Sequence, residues 1–446
     1  MAASPTPASI TAAYLARYRS VAAQRAELVP LTGAQRRFLL SRRLDPQGRP
    51  AIVPLFFAFP RGTVDPARLR RAATRLAELH PALRGSLTTL RGTPALRLGE
   101  PSAEVREVAV APGGRAEDAL RQALLGWLPE GPPLRLLLAR QPGQDGEELL
   151  ALALDHTACD EQSLGLVTAD LSRLYREDPS AAPDPRESAA AVAAYREAVE
   201  LQLAAEAAAS SPAAFAHWAA RLGALADTDR VRPAATELPP PTGMLTHRLP
   251  AATGAARGAV FPALLDGVSA AAVDLFGSER PLALGYPWGG RPPAAPQALG
   301  CFLNTLVHPA TAAPADLTEL SACWWDDLDH ADTPFDEVVH AARSAGASWP
   351  GTLDGLLTFE DLHRRPPLVL GGTPGRETHL TGRPIGAPFA VSASHGDDLL
   401  VRLAWDREQC PDDDAARAAF EALLTTLRHH LGARPGDPGP GARSAS

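Results

Sequence analysis

Two apolar periods alternate along this chain. In VDPARLRRAATRLAELHPALRGSL (64–87) apolar residues recur every three or four positions, placing Leu69, Ala72, Ala73, Leu76 and Leu79 on one face. That spacing predicts an amphipathic helix, stopped near Pro81 because the residue before a proline avoids helical geometry. By contrast AIVPLFFAF (51–59), PLRLLLAR (133–140) and EELLALAL (147–154) are short apolar runs, which predict strands. The last two flank the polar QPGQDG and read as a hairpin. The second of them runs into Asp155-His156-Thr157-Ala158-Cys159-Asp160-Glu161, after which Leu164, Val167, Leu171 and Leu174 return to helical spacing. A rigid element therefore delivers one histidine and three carboxylates at the entry to a helix.

The remaining pattern fills two lobes. Residues 1–27 read as a helical extension, apolar at Ile10, Tyr14, Leu15 and Val21. LVPLTGAQRRFLLSRRL (28–44) holds a turn, Thr32 as a helix cap, and a helix through Phe38 and Leu39. The proline-rich DPSAAPDPRE (178–187) marks a lobe boundary, followed by an alanine-rich helical region to about residue 225 and the loop ELPPPTG (237–243). Beyond it, helices are expected around 261–276, 315–329, 335–345 and 413–431, and strands at 281–287, 355–361 and 399–406. The expected division is an N-terminal extension (1–27), an N-terminal lobe (28–178), a C-terminal lobe (179–436) and a disordered tail (437–446). Two α/β lobes of similar size follow.

Composition narrows the function classes. The 446 residues are 45% apolar and 21% charged, ordinary for a globular protein with ample core. The N-terminus lacks a long apolar segment behind a basic start, and no apolar run approaches the roughly 20 residues of a membrane span, so a cytoplasmic protein without membrane contact is expected. Cys159, Cys301, Cys323 and Cys410 show no zinc-ligand spacing, and neither a metal site nor a disulfide framework is expected. A formal charge of −8 without a basic block offers no footprint for nucleic acid. All 43 basic residues are arginine, and Asn304 is the only asparagine, as codon bias toward Ala, Arg, Gly and Pro would produce. The chain contains no GxSxG elbow, HExxH, GxxxxGK[ST] loop or GxGxxG fingerprint.

Seven segments, in this order, carry a family resemblance: LTGAQRRFLLSRRLDP, LRRAATRLAELHPALRGSL, the strand with its histidine motif, FAHWAARL (215–222), GYPWGGRP (285–292), LGCFLNTLVHP (299–309) and DTPFDEVV (332–339). Over roughly residues 28–435 the chain resembles the condensation domains of nonribosomal peptide synthetases, within the chloramphenicol acetyltransferase-like superfamily. The resemblance implies an α/β fold of two lobes forming a V with a central tunnel. It implies an acyl group on the phosphopantetheine arm of an acyl or peptidyl carrier protein, and a separate small-molecule or carrier-bound acceptor. The two would meet at the second histidine of HHxxxDG, here His156. No adenylation or carrier segment is recognised, so a free-standing enzyme served by partners in trans is expected, with no cofactor bound intrinsically.

Acyl transfer needs a group that receives or guides the acceptor's proton, and an imidazole suits this because its ordinary pKa of about 6.5 lies near working pH. His156 is the expected catalytic residue, as a base, an orienting group or both. The resemblance assigns Asp160 an architectural role, holding the histidine loop through an ion pair with an arginine on the other lobe, for which Arg291 is the candidate. Thr157-x-x-Asp160 also fits a capping box. Asp155 replaces the family's first histidine and Glu161 its glycine. Asp155 is expected to hydrogen-bond the loop or orient His156; Glu161 is expected to narrow a channel, bind a cationic acceptor, supply a second acid-base group, or simply lie solvated at the helix entry. Trp288, Asn304 and Ser163 are candidate substrate-binding residues, with packing for Trp288 and backbone bonding for Asn304 as the alternatives. Trp324 and Trp325 are expected in a core or lobe interface. Asp155, Asp160 and Ser163 satisfy the DxxxxDxxS pattern of heterocyclization domains. That reading, a coenzyme A-dependent acyltransferase, and a catalytically silent domain recruiting a tailoring enzyme remain the alternatives to condensation.

Overall fold

The computed structural model describes residues 9–22, 25–44, 51–127, 130–141, 146–177, 184–227, 242–251, 256–277, 279–312, 316–361, 365–380, 385–410 and 412–432. The expected tail, residues 178–183 of the expected boundary and residues 237–241 of the proline-rich loop lie outside them. In chain order the first elements are α1 (Ile10–Ala22), β1 (Leu28–Val29), α2 (Gly33–Leu44), β2 (Ile52–Pro60), α3 (Pro66–Leu79), β3 (Gly85–Leu90) and β4 (Thr93–Leu98). There follow β5 (Glu104–Val108), α4 (Ala116–Leu125), β6 (Leu134–Arg140), β7 (Glu147–Asp155), α5 (Glu161–Arg176), α6 (Pro185–Ala209) and α7 (Pro212–Leu222). Next come β8 (Thr242–Pro250), α8 (Ala256–Phe276), β9 (Leu282–Trp288), β10 (Asn304–Ala310), α9 (Leu317–Asp329), α10 (Phe335–Ser344) and β11 (Gly355–Asp361). The last are β12 (Val369–Leu370), β13 (Thr373–Pro374), β14 (Arg376–Thr378), β15 (Phe389–His395), β16 (Asp398–Asp406) and α11 (Asp413–Leu431).

The chain forms two compact units whose boundaries differ from the expected lobes. One comprises Met1–Ala208, Gly289–Leu303 and Arg365–Leu380; the other comprises Ala209–Trp288, Asn304–Arg364 and Thr381–Ser446. The break expected at residue 179 is displaced because α6 buries Tyr195, Ala198, Val199 and Leu203 in the first unit's core. The extension expected at 1–27 contributes Tyr14 and Tyr18 to that same core.

In the first unit a five-stranded sheet has the order β14-β2-β7-β6-β5, with β7 antiparallel to both neighbours. Leu150, Leu152 and Leu154 enter the core shared with α1, α3, α5 and α6, while Leu149, Ala151 and Ala153 pack on the opposite face with Leu120, Leu124 and Trp127. Burial on both faces explains why this strand is an unbroken apolar run rather than an alternating one. Asp65 caps α3 by accepting from the Ala67 and Arg68 N–H groups, and Pro66 follows it. The helix ends at Leu79, just before the expected stop at Pro81; Pro81–Arg84 is a single 3-10 turn, and β3 begins at Gly85.

The second unit holds a six-stranded sheet, β10-β9-β11-β15-β16-β8. Strand β11 is parallel to β9 and β15, and the other pairings are antiparallel. Its helix α8 contains a 19-residue apolar stretch, Gly258–Phe276, with a mean hydropathy of 1.6, longer than the sequence expectation allowed. It buries Val260, Ala263, Leu264, Leu265, Val268, Ala271 and Ala272 in the unit's core, as a core helix does. At Gly267 a Cβ would meet the Leu423 carbonyl oxygen at 3.2 Å, so a glycine there lets α8 and α11 approach closely.

Candidate active site around His156

Strand register places the histidine. Asp155 is the last residue of β7 and pairs with Ile52 of β2. The His156 N–H then donates to the Ala51 carbonyl at 3.0 Å, and the Ala158 N–H closes a turn onto the Asp155 carbonyl at 2.9 Å. The imidazole Nδ1 lies 3.1 Å from the Cys159 carbonyl oxygen. A carbonyl only accepts, so Nδ1 carries the proton and the Nε2 lone pair is left for another partner. Burial holds the imidazole below the usual histidine pKa, outweighing the upward pull of its backbone hydrogen bonds and of Asp155 and Asp160. At neutral pH the ring is an uncharged base of fixed tautomer.

The loop's other end is built by Asp160, the N-cap of α5. Its side chain accepts from the Ser163 N–H at 3.0 Å, and Ser163 reciprocates toward the Asp160 N–H, completing a capping box. The box thus spans Asp160 to Ser163, one turn beyond the expected Thr157 to Asp160, because the helix starts at Glu161. Arg291 donates to both Asp160 oxygens at 2.7 and 2.8 Å, and the Phe302 N–H donates to Oδ2 at 3.0 Å. The guanidinium also lies over the Phe302 ring, 4.4 Å from its centroid, and bonds the Ala298 carbonyl. Arg291 belongs to the 289–303 segment of the first unit, not to a separate lobe as the sequence suggested.

Several expected site residues serve the framework. Ser163, a candidate for substrate binding, is fully buried; its hydroxyl donates to Asp160 at 2.7 Å and accepts from the Gly300 N–H at 3.1 Å. Asp155 does not orient the imidazole: its oxygens face Arg42 at 2.7 Å and take the Thr157 N–H and hydroxyl at 2.8 and 2.6 Å. The strand's pleat turns it to the face opposite Leu154, and the Cys159 carbonyl sets the tautomer instead. The Asn304 amide in the second unit donates to the Ala331 and Thr333 carbonyls at 2.8 and 2.5 Å, so its donors serve the backbone rather than a substrate. Trp288, at the end of β9, is half-buried against the second unit's core. Glu161 is exposed in the first turn of α5. Trp325 is 61% exposed on α9, contrary to the expectation of a buried interface, while Trp324 packs on Phe261 with centroids 5.1 Å apart.

Three site residues escaped the sequence analysis, all on α2. Gln35 Nε2 donates to the Thr157 carbonyl at 2.8 Å, the Phe38 ring stacks on His156 with centroids 4.5 Å apart and planes at 27°, and Arg42 holds Asp155. Positions 35, 38 and 42 follow the i, i+3, i+7 rule for one helix face, so the signal was present in the spacing. Thr32 and Gln35 also cap the helix reciprocally, with Thr32 N–H to Oε1 at 3.2 Å and Gln35 N–H to Oγ1 at 3.3 Å. The buried Glu206 carboxylate takes the Gly33 N–H at 3.0 Å. Cys159 and Cys301 are fully buried, which pushes both thiols well above their ordinary pKa; neither is a thiolate nucleophile at neutral pH. Among the described residues no cluster of metal ligands occurs.

No protein-family model matches the chain. Tyrocidine synthase 2 of Brevibacillus parabrevis is 29% identical over 162 residues, covering 35% of this chain and 4% of that protein. The phenyloxazoline synthase MbtB of Mycolicibacterium paratuberculosis (strain ATCC BAA-968 / K-10) is 35% identical over 154 residues, covering 33% of this chain and 13% of that protein. The chain thus spans a small part of the curated relatives it matches. Among solved structures, the X-domain from teicoplanin biosynthesis superposes with a TM-score of 0.64 at 19% identity, covering 92% of this chain and 96% of that one. The starter condensation domain of rhizomide synthetase RzmA, in complex with C8-CoA and Leu-SNAC, gives 0.66 at 16% identity, covering 93% and 96%. The chain has the α/β fold of the condensation domains among these solved structures.

Proposed function

We propose that this protein transfers an acyl group from the phosphopantetheine thioester of a carrier protein to an amine or alcohol acceptor, forming an amide or ester. The observation that carries this reading is the state of His156: Nδ1–H is committed to the Cys159 carbonyl, Nε2 keeps its lone pair, and burial keeps the ring neutral. In the reaction the acceptor nitrogen or oxygen bonds to the thioester carbon, and Nε2 takes the acceptor's proton. Collapse of the tetrahedral intermediate breaks the carbon–sulfur bond, and the imidazolium returns the proton to the departing pantetheine sulfur. Asp160 and Arg291 fix the loop, while Asp155 and Arg42 tie its start to α2. The test is amide or ester formation from an acyl-loaded carrier protein and a panel of acceptors, followed by mass spectrometry. Product from no donor–acceptor pair, with firm binding to a tailoring enzyme instead, favours a silent recruiting domain.

Because the working form of His156 is the free base and its pKa is depressed, kcat/KM is expected to be flat above pH 7. It should fall about tenfold per pH unit only below an inflection under 6.5. An inflection above 7 removes the depressed imidazole as the base. Glu161, exposed at the entry to α5, is the residue through which a cationic acceptor would be favoured. Glu161→Gly is expected to lower kcat/KM for cationic acceptors by about fivefold or less, the range of an exposed charge pair, and to leave neutral acceptors unchanged. Identical kinetics across the panel leave Glu161 as a solvated helix-entry carboxylate.

Similarity to a phenyloxazoline synthase, together with the Asp155, Asp160 and Ser163 spacing, favours one second reading, condensation followed by heterocyclization. With serine, threonine or cysteine as acceptor, a product lighter by one water than the simple amide distinguishes it.

A further inference from the structure

We propose that Phe38 of α2 is the positioning residue of the catalytic imidazole, a face-on platform that sets the plane of His156 and thereby aims Nε2 at the acceptor's proton. The inference rests on His156 acting as proposed above, and it concerns a residue in none of the motif's own positions. An imidazole attached through two rotatable bonds has two freedoms to lose before its lone pair has a fixed direction. The hydrogen bond from Nδ1 to the Cys159 carbonyl fixes one point of the ring but permits rocking about that bond. The near-parallel Phe38 ring, 4.5 Å away at 27°, removes the rocking and covers one face against water. Among the described residues, hydrogen bonding and stacking together leave Nε2 as the ring's open polar position.

The platform is itself anchored at both ends. One turn before Phe38, Gln35 holds the Thr157 carbonyl, and one turn after it Arg42 holds Asp155, so α2 grips the residues on either side of His156. The helix start is pinned by Glu206 from α6 and by the Thr32 hydroxyl on the Cys301 carbonyl at 2.8 Å. Both carboxylates that act on the imidazole are paired with arginines. Asp155 is paired with Arg42 and Asp160 with Arg291, Arg37 lies beside the Phe38 ring at 5.9 Å, and the neighbouring thiols of Cys159 and Cys301 are neutral. An aromatic face also favours the transient imidazolium that forms when the proton is taken. Phe38 is half-buried, so its replacement need not unfold the protein.

The experiment compares wild type with Phe38→Leu, Phe38→Ala and Phe38→Tyr, in single-turnover transfer and in 15N NMR of histidine-labelled protein, with the His156 signal assigned by its loss in His156→Gln. With Leu or Ala at position 38, kcat is expected to fall about 10- to 100-fold, the scale of a small misplacement of reacting groups. The KM for the acyl-carrier protein should stay within twofold, and Tyr should restore most of the rate. The His156 signal should titrate closer to the ordinary histidine value in Phe38→Ala, because water then reaches the ring, and its fixed Nδ1–H tautomer should become a mixture. A titration and tautomer unchanged from wild type overturn the proposal, as does an equal rate loss with Tyr. The NMR arm decides the role of Phe38 even if wild type transfers no acyl group, an outcome that would sink the acyl-transfer reading alone.

Discussion

His156→Ala is expected to lower acyl transfer by about 10²- to 10⁴-fold, the usual worth of a positioned general base, while the far-UV circular dichroism and the thermal midpoint stay close to wild type. The two halves of this expectation have separate causes. Among the described residues the side chain makes one hydrogen bond, to the Cys159 carbonyl, and one stacking contact, to Phe38; a single such hydrogen bond contributes about 1 kcal/mol. The main-chain bond from residue 156 to Ala51 survives the substitution, so the strand end keeps its register. Chemistry has no such reserve. The thiols nearest the histidine are protonated at neutral pH, Asp155 is occupied by Arg42 and Thr157, and Asp160 by Arg291, Ser163 and Phe302. None of these groups is disposed to take over the proton. Turnover unchanged in a folded His156→Ala protein removes the catalytic assignment.

Asp160→Ala is expected to have the opposite profile, a loss of stability first and of activity as its result. The carboxylate is 2% exposed, and its removal leaves the Arg291 guanidinium largely buried without its counter-charge. Breaking one side of a buried pair costs about 3 to 5 kcal/mol, and the lost cap of α5 adds to the same end. Against a typical domain stability of about 5 to 15 kcal/mol, that is a large fraction. It is measured as a lower denaturant midpoint with an unchanged slope. Asp160→Asn, which retains one oxygen for either the Ser163 N–H or the Phe302 N–H but not both, should recover part of the loss. Full wild-type stability in both variants would show that the pair contributes little to the fold.

The legible part of this molecule was whatever a local pattern dictates. Strand β7 could be read because burial on both faces writes itself as a run of apolar residues, and α11 because its apolar face and acidic first turn lie in one window. Asp160 and Arg291 could be paired only because the resemblance joined two segments far apart in sequence; composition and periodicity place neither beside the other. What was misread depended on direction rather than proximity. Of the two roles expected of Asp155, bonding the loop holds through Thr157, and only orienting His156 fails, because the pleat turns the carboxylate toward Arg42. Ser163 fits a catalytic spacing, yet the helix that begins at Glu161 turns its hydroxyl inward to close the capping box. Phe38 carries no titratable group, so a search for acid-base chemistry passes over it although its spacing from Gln35 and Arg42 was visible. The expected break at residue 179 failed because α6, which begins at Pro185, still buries its apolar face in the first core.

The return of residues 289–303 to the first unit also sets an order of events during synthesis. Asp160 and Arg291 are separated by 131 residues, and at about 5–20 residues per second the ribosome needs roughly 7 to 26 s to make that stretch. Through this interval the capping carboxylate has been made and its arginine has not. The nascent first unit therefore waits for a late segment to complete the histidine loop, and a polypeptide released before residue 291 would carry the histidine without the brace that holds it.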